Sequence, residues 1–253
     1  MKSFWDETGI LTAAHSLTYR RRLGKGPFGT PPERVIFCFQ PWLADWGVKQ
    51  WRGKGVGGFF GDLHRLQRLD GRVALSSRFG IGGPVVGVLV EDLAAWGVRE
   101  FVAVGTAGGL KADLAAGDVV LAVQAVRQDG VSDYYLPKKD LVAGDGRLLD
   151  IWQGQLTLQN QPFRVGNIWT IGAPYRETAR AIAQAVELGA VAVEMEAAAL
   201  FAVAAARGVA AAAGVVVSDS LADGRWQPAS DQKRVMAEMK RLLQAAVLME
   251  GNP

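Results

Sequence analysis

The chain has 253 residues, of which 49% are apolar and 21% are charged, and its formal net charge is +3. This composition is ordinary for a globular protein and excludes the disordered and fibrous classes. The basic residues cluster locally, at 19–25 and at Lys138 and Lys139, and a short run of like charges is usually a solvated face. We therefore expect no nucleic-acid partner.

The cysteine content and the apolar tracts indicate the cellular compartment to expect for this protein. The single cysteine, Cys38, excludes an intrachain disulfide and a cysteine-based zinc site and suits a reducing cytoplasm. Acidic residues within 1–7 interrupt the apolar core that a signal peptide needs. The longest apolar tract, 189–217, is mostly alanine and contains two glutamates and an arginine, unlike a membrane span. We predict a cytoplasmic protein with no membrane partner.

The chain divides into an N-terminal arm and one domain. Residues 1–32 are polar, rich in arginine, and end in a stretch of glycine and proline. We interpret them as an arm that either packs on a neighbouring subunit or forms a mobile terminus. Residues 33–253 are long enough for a single domain with a large core.

Short apolar runs alternate with helical patterns along this domain. The runs that predict buried strands are 34–39, 72–76, 100–104, 118–123, 163–168 and 212–217. Helical periodicity with start and stop signals predicts helices at 84–96, 175–188, 194–207 and 230–249. The alternation predicts an α/β fold, a single domain with a mixed central β-sheet flanked by helices. Ligands in such folds bind at the carboxyl ends of strands.

Three acids lie against apolar sequence. Glu194 and Glu196 are placed at the start of the alanine-rich helix predicted to end at Arg207, and Asp219 follows the apolar run 214–217. A buried carboxylate costs several kcal/mol unless partners compensate it. The pattern therefore indicates a functional site.

Two glycine-rich segments follow predicted strands. Gly105–Gly109 is predicted to be a loop whose backbone N–H groups face an oxyanion or a sugar hydroxyl, with Thr106 adding its own hydroxyl. Ser77–Pro84 leads from a strand into a helix, with Pro84 near the first helical position. Neither segment has the spacing of a dinucleotide fingerprint or a P-loop, and each alone also fits a plain tight turn.

Taken in this order, the motifs resemble the nucleoside phosphorylase family, which includes purine nucleoside phosphorylase, uridine phosphorylase and methylthioadenosine nucleosidase. Gly80–Pro84 resembles the family's Gly-Met-Gly-x-Pro turn, and Gly105–Gly109 resembles its Gly-Ser/Thr-x-Gly-Gly loop. Val193–Ala198 is similar to the Glu-Met-Glu signature, and Val217-Ser-Asp219 is similar to the strand end with the catalytic aspartate. The resemblance spans residues 33–248, and the last two motifs are the most specific.

The resemblance implies a purine nucleoside as the small-molecule substrate. Asp219 is the implied catalytic acid at the purine imidazole nitrogen, and apolar neighbours would favour its protonated form. Glu196 is implied to accept hydrogen bonds from the ribose hydroxyls, with Met195 packed under the sugar. Such groups stabilise the charges that develop on the sugar and the base when an N-glycosidic bond breaks. The further substrate-binding candidates are Glu194, Ser218, Gly105, Thr106, Tyr175 and Arg176.

Three of these candidates have structural alternatives. Glu194 also fits a helix-start or salt-bridge role. Tyr175 suits stacking on a heterocycle and Arg176 suits its polar edge, but the same segment also fits the start of the following helix.

The expected phosphate site is incomplete. Phosphate is bound well by arginine forks, yet Phe39–Leu43 replaces the Gly-Asp-Pro-x-Arg of the family's phosphorylases, and Ala103 replaces a strand arginine. The candidate phosphate-binding residues are Gly80, Arg78 and Thr106.

The resemblance implies phosphorolysis to free base and ribose 1-phosphate, with phosphate as co-substrate and no cofactor or metal. A hydrolytic nucleosidase and a non-catalytic nucleoside-binding relative remain open. The family also implies a homo-oligomer built from dimers, often a hexamer.

Overall fold

The computed structural model describes Glu7 and residues 9–249. The helices in this part of the chain are α1 (Ala13–Arg22), α2 (Pro41–Trp51), α3 (Gly83–Trp96), α4 (Gly146–Leu158), α5 (Ala179–Glu187), α6 (Ala197–Arg207) and α7 (Gln232–Val247). The strands are β1 (Arg34–Cys38), β2 (Gly53–Val56), β3 (Asp62–Leu66), β4 (Val73–Ser77), β5 (Glu100–Gly109), β6 (Val119–Gln128), β7 (Leu141–Ala143), β8 (Arg164–Ile171), β9 (Ala190–Glu194), β10 (Ala210–Ser220) and β11 (Gln227–Pro228).

The sheet is mixed and closes partly on itself. Its strand order is β11-β10-β6-β8-β9-β5-β1-β4-β3-β2, and β10 also pairs with β5. The extra pairing joins β5, β10, β6, β8 and β9 into a ring, from which β1, β4, β3 and β2 extend as an open sheet. The β10–β5 and β1–β5 pairs are parallel, whereas β5–β9 and β10–β6 are antiparallel. The predicted mixed α/β fold is confirmed.

Helices bury apolar side chains on both faces of the sheet. On one face α3 and α6 pack together and against the strands, with Val90 and Phe201 in that core. On the other face α2, α4 and α7 cover a second core that includes Trp152 and Met239. Burial on both faces explains why the central strands read as continuous apolar runs rather than alternating ones.

The N-terminal arm contains a helix that packs within the same chain. In α1, Leu17 is buried in the core beneath α3, and the Arg20 guanidinium pairs with the Asp92 carboxylate of α3 at 2.7 Å. The contact of the arm with a neighbouring subunit stays a prediction. Residues 1–6 and 8 of the arm lie outside the described part of the chain. No described helix is long and apolar enough to cross a bilayer.

The predicted loop at Gly105–Gly109 is wrong, because this segment is the carboxyl-terminal half of β5. Gly108 pairs with Val193 of β9 on one side and with Asp219 of β10 on the other. A Cβ at Gly108 would lie 2.9 Å from the Leu221 side chain and 3.1 Å from that of Val193. Glycine at position 108 therefore allows neighbouring side chains to pack closely around this strand end. It does not form a turn here.

Candidate active site

Asp219 lies near the end of β10, where a register shift after Val217 interrupts the ladder with β5. Its Oδ1 accepts a hydrogen bond from Ser218 Oγ at 2.7 Å, and its Oδ2 accepts one from Trp226 Nε1 at 3.0 Å. Both carboxylate oxygens thus have donors, and Ser218 is a neighbour that orients Asp219. A direct contact of Ser218 with substrate stays a prediction.

Glu196 follows β9 and occupies the N-cap position of α6, where it is buried. One of its carboxylate oxygens accepts the backbone N–H of Gly82 at 2.5 Å. A Cβ on Gly82, whose φ is +94°, would meet the Met195 side chain at 3.9 Å. The structure therefore brings the Gly80–Pro84 turn next to the Glu-Met-Glu segment.

The helix predicted to begin at Glu194 begins later, because Glu194 is the last residue of β9 and α6 begins at Ala197. The alternative helix-start role of Glu194 is confirmed by its hydrogen bonds. Its Oε2 accepts the backbone N–H groups of Glu196 and Ala197 at 2.7 and 2.9 Å. Its Oε1 accepts the Thr170 hydroxyl at 2.5 Å. Glu194 therefore caps the first turn of α6, whose N-terminal N–H groups need acceptors.

Burial changes the protonation of both glutamates. Burial and the neighbouring Glu196 raise the pKa of Glu194 to about 8. Burial raises the pKa of Glu196 to about 7, although the Gly82 N–H favours its ionised form. The charge of Glu196 therefore changes close to neutral pH and responds to hydroxyl donors that a ligand would bring.

The ends of β1 and β5 carry neutral polar groups. Gln40 Nε2 donates to the Thr106 hydroxyl at 3.1 Å, while Gln40 Oε1 is buried and has no partner among the described residues. A Cβ at Gly105 would lie 3.2 Å from the Phe39 ring. Leu43 and Ala103, which replace the two expected arginines, are buried and apolar.

The arginine predicted to replace them is already paired. The Arg78 guanidinium forms ion pairs with Asp45 at 2.7 Å and Asp62 at 3.2 Å. Its backbone φ is +56°, and at the nearby Gly80, whose φ is +96°, a Cβ would lie 3.9 Å from the Val85 side chain. The phosphate role of Arg78, Gly80 and Thr106 stays a prediction.

The predicted helix at 175–188 begins later, at Ala179, after a 3-10 turn over Pro174–Arg176. Tyr175 is fully exposed and Arg176 is exposed, so neither side chain packs against Asp219 in this chain. In the same segment, burial and, as the smaller cause, the negative charge of Asp219 raise the pKa of Glu177. The roles of Tyr175 and Arg176 in base binding stay predictions.

Sequence reasoning missed Glu177 and Trp226. Glu177 lies a few residues beyond the carboxyl end of β8, the edge where ligands gather, and that position is the signal that could have found it. Trp226 comes seven residues after Asp219, and no local pattern in the sequence predicts its contact.

Two large surface cavities lie away from these residues. One, of about 750 Å³, is lined by glycine-rich segments with Lys25, Lys54 and Arg65. The other, of about 1150 Å³, lies beside α1 and α3 and includes Leu11 and Phe60. None of the predicted site residues lines either cavity. Within the described ranges, no three histidine, cysteine or acidic side chains form a group able to hold a metal ion.

Comparison with known proteins agrees with the motifs. The family model of the phosphorylase superfamily matches residues 59–248. A guanosine phosphorylase from Halorubrum lacusprofundi is 30% identical over 173 residues, which cover 68% of this chain and 72% of that protein. A DeoD-type purine nucleoside phosphorylase from Bacillus cytotoxicus is 31% identical over 171 residues, covering 66% and 73%.

The fold is also found in a solved structure. An AMP nucleosidase from Bacteroides thetaiotaomicron is similar with a TM-score of 0.70 at 19% identity, over 92% of this chain and 97% of that one. This likeness concerns the fold alone. With a family match across most of its length and the Glu-Met-Glu and Ser-Asp motifs meeting at one end of β5, the chain belongs to the phosphorylase superfamily.

Proposed function

We propose that this protein cleaves the N-glycosidic bond of a purine nucleoside by phosphorolysis, yielding the free base and ribose 1-phosphate. The observation that carries the proposal is the arrangement around Gly108, which pairs with Asp219 on one side and with Val193 on the other. Val193 directly precedes the Glu-Met-Glu segment. The base-directed acid and the ribose-directed acceptor thereby flank one strand end, as a nucleoside spanning them requires.

The chemistry follows from the two carboxyl groups. As the bond breaks, positive charge develops on the ribose and negative charge on the purine. Asp219 donates a proton or a hydrogen bond to the imidazole nitrogen of the departing base. Glu196 accepts hydrogen bonds from the ribose hydroxyls, and its negative charge stabilises the cationic sugar.

Phosphate is proposed as the acceptor because the relatives at about 30% identity are named guanosine phosphorylase and purine nucleoside phosphorylase. In this chain the anion would be held by the Gly80 turn, the Thr106 hydroxyl and Arg78. Such a site has fewer cations than an arginine-rich one. Each missing charge-assisted hydrogen bond weakens binding by about 1.5–3 kcal/mol, so phosphate should bind weakly.

Hydrolysis is the second candidate, and the Gln40–Thr106 hydrogen bond favours it. This pair carries no charge to hold an anion, and Gln40 Oε1, which has no partner among the described residues, can accept a hydrogen bond from water. Water in this place would attack the same sugar carbon as phosphate.

A panel of nucleosides assayed with and without phosphate tests the proposal, with released base, ribose 1-phosphate and free ribose measured separately. We expect ribose 1-phosphate from purine nucleosides, with phosphate saturation on the order of millimolar. Free ribose without phosphate would assign the protein to the hydrolases, and no released base would leave only a binding function.

The Arg78→Ala variant tests the anion site. We expect it to lose the phosphate dependence, because it removes the cation assigned to phosphate. Arg68→Ala, at an exposed position in a 3-10 turn, is the matched control and should behave as wild type. Micromolar phosphate saturation that is unchanged in Arg78→Ala would place the anion elsewhere.

A further inference from the structure

The turn at 129–132, directly after β6, is held together by one buried carboxylate. Asp129 is 6% exposed. Its Oδ2 accepts the backbone N–H groups of Val131 and Ser132 at 3.1 and 2.8 Å, and its Oδ1 accepts the Ser132 hydroxyl at 2.6 Å. Arg127 Nε of β6 also donates to the Ser132 hydroxyl, at 3.0 Å. These hydrogen bonds fix the turn to the end of β6 and thereby fix the position of Val131.

The same turn packs against the first turn of α3. A Cβ at the buried Gly83 would lie 3.3 Å from Val131 Cγ2 and 3.4 Å from Asp129 Oδ2. One at Gly87 would lie 3.4 Å from Val131 Cγ1. The Cβ at Gly83 would also lie 3.1 Å from the Ala199 side chain of α6. The start of α3 is therefore in close contact with both the turn and α6, and closely packed groups move together.

The contact between α3 and α6 reaches the proposed ribose site. Gly82 directly precedes Gly83, and its N–H donates to the carboxylate of Glu196 at 2.5 Å. Glu196 is the N-cap residue of α6, the helix that carries Ala199. A displacement of α3 relative to α6 would lengthen or bend this hydrogen bond, which depends steeply on geometry. The turn at 129–132 therefore influences how the Glu196 carboxylate is oriented.

We propose that Asp129 is a positioning residue for ribose binding: it holds the turn that packs α3 against α6, and so keeps the Gly82 N–H on the Glu196 carboxylate. Binding groups act best when neighbouring residues lock their orientation. Asp129 acts through Gly82 and Glu196 and has no contact with the base or the sugar in this proposal. The inference rests on the proposed function, in which Glu196 accepts the ribose hydroxyls. Replacing Asp129 should therefore weaken nucleoside binding and leave binding of the free base unchanged.

The first test replaces Asp129 itself. Asp129→Asn keeps the size of the side chain but offers one acceptor oxygen where the turn uses two. Asp133→Asn makes the same change close by, at an acid that pairs with Arg127 at 2.9 Å, and is the control. Calorimetry without phosphate gives the affinities of inosine and of its free base, hypoxanthine. We expect Asp129→Asn to bind inosine about 10- to 100-fold more weakly, the range of one charge-assisted hydrogen bond, with unchanged hypoxanthine affinity. Asp133→Asn should match wild type.

The second test uses the packing and also serves if Asp129→Asn does not fold. Gly83→Ala adds a methyl group where Val131 and Ala199 leave too little room, and we expect the same selective loss of inosine affinity. Val131→Ala removes the methyl group that the new Cβ would meet, so the double variant should regain inosine affinity. A change that only destabilises the fold would not be reversed by truncating a second packed side chain. Gly154→Ala, at an exposed position of α4 with nothing within 4 Å, is the control.

The outcomes separate the two proposals. Unchanged inosine affinity in the variants, or equal losses for inosine and hypoxanthine, would overturn the role of Asp129 and keep the proposed function. The same holds if Val131→Ala fails to restore inosine affinity to Gly83→Ala, because the proposal depends on that packing. A selective, reversible loss of inosine affinity, with no release of base from any nucleoside by wild type, would overturn the proposed function alone.

Discussion

At the scale of single residues, the two carboxyl groups of the proposed site have different surroundings. Asp219 accepts hydrogen bonds from two side chains, and Glu196 is buried and accepts a backbone N–H. Surroundings set what a carboxyl group can do. The proposed roles, an acid at the base and an acceptor at the ribose, follow those differences.

Replacing Asp219 tests the acid. Asp219→Asn keeps the size of the side chain and can still bond with Ser218, but it has no carboxyl proton to donate. We expect turnover of purine nucleosides to fall about 10²- to 10⁴-fold. The fold, measured by circular dichroism, and ligand binding, measured by calorimetry, should be unchanged. Asp140→Asn, at an exposed position, is the control. Near-normal turnover by Asp219→Asn would refute the assignment.

The raised pKa of Glu196 predicts how stability depends on pH. The folded pKa of about 7 lies above the ordinary 4.5, so between these values the folded state holds more protons than the unfolded state. Stability from this group is therefore present below about pH 4.5 and is lost as pH rises through 7. We expect the fall in melting temperature between pH 5 and pH 8 to be smaller in Glu196→Gln than in wild type.

The same residue predicts a pH dependence of binding. Ribose hydroxyls donate to the ionised carboxylate, so nucleoside affinity should rise as pH passes through about 7, while affinity for the free base should not follow this rise. Glu196→Gln should weaken nucleoside binding and slow turnover with little effect on the free base. Equal losses for base and nucleoside would make Glu196 purely structural.

At the scale of elements, the start of α6 links β8, β9 and the site. The Thr170 hydroxyl of β8 donates to Glu194 and accepts the backbone N–H of Ala198 at 2.9 Å. Glu194 in turn accepts the two preceding N–H groups of the helix. This network satisfies the first turn of α6 and thereby holds Glu196 against Gly82.

Removing one hydroxyl tests that network. Thr170→Val keeps the shape of the fully buried side chain but leaves the Ala198 N–H and one Glu194 oxygen without partners. We expect a loss of about 1–3 kcal/mol in the free energy of unfolding and slower turnover, measured by denaturant titration and kinetics. Thr157→Val, on the exposed face of α4, should stay within about 0.5 kcal/mol of wild type. Equal stability of the two variants would contradict the role of the network.

At the scale of the whole molecule, the surface beside α1 and α3 carries several exposed apolar side chains. Ile10 is fully exposed, Leu11 is 79% exposed and Phe60 is 64% exposed, and the last two line the larger cavity. Grouped exposed apolar side chains commonly mark protein interfaces. This surface includes part of the arm expected to contact a neighbouring subunit.

We therefore expect a homo-oligomer. Sedimentation at micromolar concentration should give a species of at least twice the chain mass of 27.1 kDa. Phe60→Asp should shift the population toward monomer, because it places a charge in the apolar surface. Leu158→Asp, on exposed α4, is the control. A monomer alone for wild type would contradict this prediction.

The sequence by itself determined six of the described strands, four of the described helices and the motifs. Buried strands such as β1 and β10 are continuous apolar runs, and the α3 helix is bounded by Pro84 near its start and Gly97 at its end. These signals are local, because propensity, periodicity and caps depend on neighbours along the chain. Glu-Met-Glu and Ser-Asp are likewise readable as short patterns. The fold class and the family followed from them.

Only the tertiary structure decided which distant residues meet. The ladders of β5 with β9 and β10 turn Gly105–Gly109 from an expected loop into a strand and place the two acidic motifs on either side of it. The same folding pairs Arg78 with Asp45 and brings Glu196 against the Gly82 N–H. Strand pairing and charge pairing join residues far apart in the chain, so no local pattern encodes them.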